Sequence, residues 1–505
     1  MSRVLAKCSI APMLAVALFG CADHGGIGTR SQPVDANALD AGTEIGGAAA
    51  AASAQNTGAD RWWQAYGDPQ LDGLVELAVA ESPDLRIAAD RIAQAEAAAG
   101  TAGAALWPKF DADAKLVRVH TSKVGETPPP LNGKLIWDNN IDFNLSYELD
   151  LWGKNRSGWE AALGSVRAAQ LDAREARLSL QTSLVRTYIR LSLGFAVREV
   201  LADTLAQQQQ ILDITRRRYA AGLAPLLQVS EAEAQVAPVR VRLEQTDNNL
   251  STLRNQLAAL SGQGPGAGEA LLHTALLSQP EAELPSNIPA VLIGRRPDVV
   301  AARWRVQAAA KNIDVAKAQF YPSLNLSLFA GLQALSFDKL FGGDAVTYGA
   351  GPAITLPIFE GGRLRANLAG RSADYDLAVD RYNANVIQAL QQVADQIAAV
   401  HSDARQRVQA QLALDAAQKA YDQALIGFRA GLTDYLTVLS TQTGLLTQRQ
   451  SLAQIDASQL DAQAVLMQAL GGDFEDDTQS AAVLQQAVAR HPVVAVPAVD
   501  SGAAP

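Results

Sequence analysis

The sequence predicts an α+β fold made of one unit occurring twice, with helices too long for a globule and strands suited to lipid. Three observations predict it. The stretch Gly153–Gly222 contains no proline and carries Leu184, Tyr188, Leu191 and Phe195 at helical steps. As one helix it would reach roughly 100 Å at about 1.5 Å per residue. A second such stretch, Gly361–Gly431, has Val379, Val386, Val393 and Val400 at strict sevens, the spacing of a coiled-coil seam. Just ahead of the first stretch, Ile141, Phe143, Leu145, Tyr147, Leu149 and Leu151 alternate with Asn140, Asp142, Asn144, Ser146, Glu148 and Asp150. That alternation predicts a strand with one apolar and one wet face, long enough to cross a bilayer when tilted.

Each element follows from local chemistry. The first 20 residues read as a signal peptide, with Arg3 and Lys7 ahead of the short apolar run Ile10–Phe19. Leu18-Phe19-Gly20-Cys21 looks like a lipobox, although Phe19 is bulkier than usual; a plain signal peptide with an incidental Cys21 is the alternative. Lipidation would put an N-palmitoyl and an S-diacylglycerol group on Cys21, and no other cofactor is expected. Cys8 and Cys21 are the only cysteines, so the body of the chain has no thiol chemistry. Residues 21–60 are rich in Gly, Ala, Ser and Asp and predict a flexible tether. Trp62 and Trp63 read as core filling. A helix is expected from about Leu71 to Ala105, broken and restarted at Ser82-Pro83-Asp84, and stopped by Trp107-Pro108. Two strands follow, the first over Phe110–Val119, joined by a loop holding Pro128-Pro129-Pro130. The long helix ends at Tyr219-Ala220-Ala221-Gly222-Leu223, and a returning helix runs from Pro225 to about Leu260. The first unit thus covers 61–262 and a linker covers 263–288.

The unit then recurs over 289–472. Pro83-Asp84 reappears as Pro297-Asp298 and Trp107-Pro108 as Tyr321-Pro322, both 214 positions on. Leu324, Leu326, Leu328 and Ala330 mark one strand, and Tyr348, Ala350, Ile354, Leu356 and Ile358 the next. Arg156 matches Arg363 at offset 207, and Phe428-Arg429-Ala430-Gly431-Leu432 repeats the first turn at offset 209. A returning helix is expected from about Asp434 to Leu470, and 473–505 reads as a disordered tail. In each unit the short and returning helices, laid end to end, match the long helix in length.

Open sheet edges are not tolerated in lipid, so four such strands must be completed by other copies. A trimer would form a 12-stranded β-barrel with a polar bore, continued by a long α-barrel. The net charge of −10 provides no basic stripe, so no nucleic-acid partner is expected. Enzyme signatures are missing: Gly133-Lys134 is followed by Leu135 rather than Ser or Thr, and the five histidines have no metal spacing.

Trp62-Trp63 with Asp68-Pro69, then Arg295-Arg296-Pro297-Asp298, then the twin turns at Gly222 and Gly431 resemble the TolC-like outer-membrane efflux factors of the lipoprotein type, which includes OprM and NodT. The resemblance covers Cys21 to about Gly472. It implies a homotrimeric, non-enzymatic channel in the cell outer membrane, lipid-anchored, with its helical barrel in the periplasm. It implies docking to a periplasmic adaptor and an inner-membrane pump, and passive export of drugs or other small molecules. The family's adaptor-docking tips fall on Tyr219, Gly222 and Leu223, and on Phe428, Gly431 and Leu432. Glycine suits these turns, and the two tips should offer equivalent corners. The pore gate implied by the resemblance has a leucine ring, matched by Leu436, and an acidic ring, whose place is taken by Ser440. Asp434 is the nearest acidic substitute or a helix cap. Two other readings of the residues are a lipid-tethered coiled-coil stalk without a pore and a duct for secreted proteins.

Overall fold

The computed structural model describes residues 24–35, 39, 59–272, 274, 275, 277 and 296–472. The expected signal peptide, Cys21, most of the tether, much of the linker and the tail lie outside them, as does Arg295.

The chain enters through a 3-10 turn, Ala59–Tyr66. Helix α1 spans Pro69–Glu81 and α2 spans Pro83–Ala104. Asp68 starts α1: its Oδ1 accepts from the backbone N–H of Gln70 (2.8 Å) and Leu71 (3.3 Å), and proline takes the first turn. Strands β1 (Lys109–His120) and β2 (Leu135–Leu149) lead to α3, Lys154–Ala220. Helix α4, Leu226–Leu260, returns, and a single turn, α5 (Gly266–Glu269), follows. The second unit comprises α6 (Pro297–Ala318), β3 (Ser323–Ala334), β4 (Val346–Thr355), α7 (Arg363–Arg429) and α8 (Tyr435–Ala469).

Several expectations are corrected. Strand β2 begins six residues before Ile141, and Leu151 falls in the turn after it. Leu356 and Ile358 lie beyond β4, because Pro357 follows where the chain leaves the sheet. The linker holds α5, whose Gly268 lies so close to the Arg254 carbonyl that a β-carbon there would sit 2.5 Å away. The pairing of Arg156 with Arg363 is two residues out of step. The N-caps Gly153 and Gly362, at φ 72° and 88°, set the offset at 209, so Lys154 corresponds to Arg363. The same offset relates the ion pairs Arg198–Asp247 and Arg407–Asp456, each tying a long helix to its return.

The four strands form one antiparallel sheet in the order β1-β2-β3-β4. The helices make four parallel rows. One row is α2 stacked on α4, the next is α3, the third is α6 stacked on α8, and the last is α7. Stacking works because the joints are closed. Gly262 beyond α4 sits against the turn between α1 and α2, where a β-carbon would lie 2.7 Å from the Glu81 carbonyl. At the second joint buried Arg296 donates to the last-turn carbonyl of Ala469 (3.2 Å), to Gln392 Oε1 (2.8 Å) and, through two nitrogens, to Asp298 (3.0 and 2.7 Å). It thereby satisfies a carbonyl that the end of α8 leaves without an intrahelical donor.

The largest core packs Trp62, Trp63, Tyr66, Leu71 and Val75 against Leu184, Tyr188, Leu191 and Phe195 of α3. The four residues whose spacing predicted α3 are all buried there. Val379, Val386 and Val393 are likewise buried.

Candidate channel wall and docking tips

Register makes the sheet two-faced. Phe143 lies between Ala112 and Ala330, Leu145 between Phe110 and Leu328, and Tyr147 beside Leu326. On the other face Asp142 lies between Asp113 and Gly331, and Ser146 between Lys109 and Ser327. Phe329 and Asn139 are among the residues that break the alternation. Phe329 stands on the polar face with its ring over Gly349, where a β-carbon would lie 2.6 Å from the ring. Asn139, fully buried, stands on the apolar face between Leu116 and Ala334. The apolar run Leu324–Leu332 covers about 26 Å of strand at about 3.3 Å per residue. Aromatic residues lie beyond both ends of this band. Trp107 is exposed at one end, where Trp152 also stacks on Tyr321 at 4.7 Å; Trp137 meets Phe337 at the other. This is the girdle pattern of a sheet that crosses a membrane. No described helix is long and apolar enough to cross one. Both outer strands, β1 and β4, have an unpaired edge.

The far ends of the helices form two turns of one design. In the first, Gly222 (φ 71°) donates to Tyr219 O (2.9 Å) and Leu223 to Arg218 O (2.8 Å). In the second, Gly431 (φ 73°) donates to Phe428 O (3.0 Å) and Leu432 to Gly427 O (2.8 Å). A left-handed residue is required here, and glycine takes it without a Cβ clash. Leu223 and Leu432 are exposed at the tips. Backbone alike, the corners differ in side chains. Arg216, Arg217 and Arg218 end α3, while their counterparts are Leu425, Ile426 and Gly427. A groove of ≈ 490 Å³ lies between the tips, lined by Ile214, Arg217, Arg218, Leu223, Phe428 and Tyr435. The expectation of equivalent corners is therefore corrected to one backbone with two chemistries.

At the expected gate, Leu436 and Ser440 lie one helical turn apart on α8, both exposed. Asp434 is the cap of α8: its Oδ1 accepts from Thr437 N–H (2.9 Å) and Thr437 Oγ1 (2.7 Å). Those two bonds, helped by the Arg218 charge, hold its carboxyl below the usual range. A contact network missing from the sequence reading ties this end of α8 to α3. Buried Gln207 donates to Leu439 O and to Thr443 Oγ1 (2.9 Å), and Tyr435 donates to Gln210 Oε1 (3.1 Å). Its signal in the sequence was Gln207-Gln208-Gln209-Gln210, a polar run in a helix whose neighbouring turns are periodic and apolar.

Cys21 lies outside the described residues, but the chain just after it is ordered against α6 and α7. His24 meets Phe320 edge-on at 4.8 Å. Arg30 and Ser31 donate backbone N–H groups to Asp376 Oδ1 (2.8 and 3.0 Å), and Val34 to Asn383 Oδ1 (2.8 Å). These bonds hold the Asp376 carboxyl below its usual range. Among the described residues no group of His, Cys, Asp and Glu could hold a metal.

Residues 74–263 and 288–472 match the family model described as outer membrane efflux protein. The chain is 42% identical over 366 residues to the fusaric acid resistance protein FusA of Burkholderia cepacia, covering 72% of this chain and 68% of that one. It is 32% identical over 439 residues to the pyoverdine export outer membrane protein OpmQ of Pseudomonas putida, covering 85% and 91%. Among solved structures it is similar to the outer membrane protein VceC of Vibrio cholerae, with TM-score 0.76, 33% identity and coverage of 82% and 99%. The CmeC outer membrane channel of Campylobacter jejuni shares the fold at TM-score 0.81 and 23% identity, covering 91% and 98%.

Proposed function

The chain belongs to the outer membrane efflux protein family, and from that premise we propose that three copies enclose one aqueous duct through which small molecules leave the cell. The observation that carries this reading is that both layers end in unpaired edges. The sheet stops at β1 and β4, and the helical rows stop at α2/α4 and α7. A neighbour adding β4 to β1 would also bring α7 beside α2 and α4. Three protomers then make a 12-stranded barrel with the polar face inside. Two of the named relatives concern fusaric acid and pyoverdine, which favours small molecules over secreted proteins.

In this reading the tips Tyr219, Gly222 and Leu223, with Phe428, Gly431 and Leu432, meet a periplasmic adaptor linked to an inner-membrane pump. Leu436 and Ser440 line the bore near them, and Asp434 serves the helix end rather than the gate. Cys21 carries the lipid. The packing of His24 on Phe320, next to the aromatic Tyr321 at the start of β3, supports an anchor at the membrane rim.

Planar bilayers test the duct. Purified protein should give stepwise current, and a stalk without a bore would give none. Cys21→Ser should abolish labelling by radioactive palmitate; a labelled variant would move the anchor elsewhere.

A further inference from the structure

Several cations near the helix end of the membrane-crossing sheet are paired, although Lys109 at the start of β1 takes part in no ion pair among the described residues. At the helix end Lys154 pairs with Glu148 (2.5 Å), Arg156 with Glu160 (3.1 Å), and Arg363 with Glu360. At the far end, the loop of residues 121–134 joins β1 to β2. There Arg118, Lys123 and Lys134 are exposed, and among the described residues none of the three takes part in an ion pair. The loop's single carboxylate, Glu126, takes part in none either. Lys115, three residues before Arg118, is by contrast matched to Asp138 at 2.6 Å.

These cations are positioned. Arg118 is in register with Trp137 on the apolar face, its guanidinium 5.6 Å from the ring centroid. It therefore lies on the aromatic girdle, one same-face step beyond Leu116. The Lys123 stem crosses Gly133, where any β-carbon would overlap it. The Thr121 hydroxyl donates to Leu131 O (2.5 Å) and Lys134 O (3.1 Å), closing the base of the loop and fixing the backbone that carries Lys134. A guanidinium on a lipid-facing wall needs an anion at its own depth. At the outward surface of an outer membrane that anion is the phosphorylated sugar headgroup of the outer-leaflet glycolipid. Arg offers it a planar fork, and Lys two point charges.

We propose that the outward end of the β1–β2 hairpin is a docking site for the phosphates of this glycolipid, with Arg118 gripping from the girdle and Lys123 and Lys134 from the loop. The proposal rests on the reading that this end of the sheet faces outward. Labelling Val124→Cys at the fully exposed loop tip on intact cells, with an impermeant maleimide, tests that orientation alone; no labelling would overturn it. The site itself is tested by native mass spectrometry of the full-length assembly. The probes are bisphosphorylated lipid A, the same lipid dephosphorylated, and phosphatidylglycerol. Bisphosphorylated lipid A should bind best. A triple Arg118→Gln, Lys123→Gln, Lys134→Gln variant should bind it on the order of a hundredfold more weakly, since each cation near an anionic headgroup contributes roughly fivefold. Equal binding of the dephosphorylated lipid or of phosphatidylglycerol, or an unchanged triple variant, would overturn the proposal. So would dissociation of the variant into single copies, which would assign the cations to a neighbouring subunit.

Discussion

Glu175 of α3 sits at the joint where α6 stacks on α8, beside the Arg296–Asp298 pair and Gln468 of α8. Burial pushes its carboxyl up to about 7; the Asp298 and Asp172 charges add to this, and Arg296 opposes it. Asp172 is itself paired with Arg305. The sign follows from linkage. A carboxyl raised from 4.5 to about 7 contributes stability that is fully present below pH 4.5. That contribution is lost as pH rises through about 7, and it amounts to roughly 3 kcal/mol. Thermal unfolding should therefore occur at lower temperature at pH 7.5 than at pH 5, and Glu175→Gln should flatten that difference. An undiminished pH response in the variant would assign the effect to other groups. The Arg-Pro-Asp motif was legible as a motif, but its partners were not. Gln392, Ala469 and Glu175 come from three other helices, far away in sequence.

Elements were read well where periodicity is strong and poorly where chains end. The strand alternation was correct because one face is apolar over many residues. Its limits were missed because Leu151, Leu356 and Ile358 continue the pattern after the backbone has left the sheet. The end of α8 shows what period cannot reveal. Its attachment to α3 depends on Gln207, a polar residue buried between helices. Replacing Gln207 by Leu removes both of its bonds and should cost about 1–3 kcal/mol of local stability. Amide exchange over residues 435–443 should quicken, and single-channel current should rise if this attachment restrains the gate. Exchange rates equal to the parent protein's would show that Gln207 does not hold α8.

Across the whole molecule, α7 carries two seams. Val379, Val386 and Val393 face inward within the protomer. Ile387 and Val408 stand one heptad position after these valines and Leu377, Leu412 and Ile426 five positions after, which turns the two sets about 100° and about 140° around the helix, and all are exposed. On the opposite edge Ile87 of α2 and Val241 of α4 are exposed too. Leu412→Asp should leave each protomer folded, since the side chain is 58% exposed. In the assembly it would bury a charge against apolar neighbours, so the mass measured in detergent should fall toward that of single copies. A variant that keeps its full assembly mass would show that this stripe is no interface.

The sequence by itself determined the repeat, the element order, the two-faced strands and the glycine turns. Each of these depends on residues close together along the chain, through period, capping and backbone freedom. Tertiary structure decided which rows are neighbours, which edges stay open, and that Arg296 and Gln207 join distant helices. Those outcomes depend on contacts across more than 90 residues of chain, as the reach of Arg296 to Gln392 and of Gln207 to Thr443 shows. No local pattern specifies which of many helical faces will meet, because the free energy of that choice arises only when the surfaces pack.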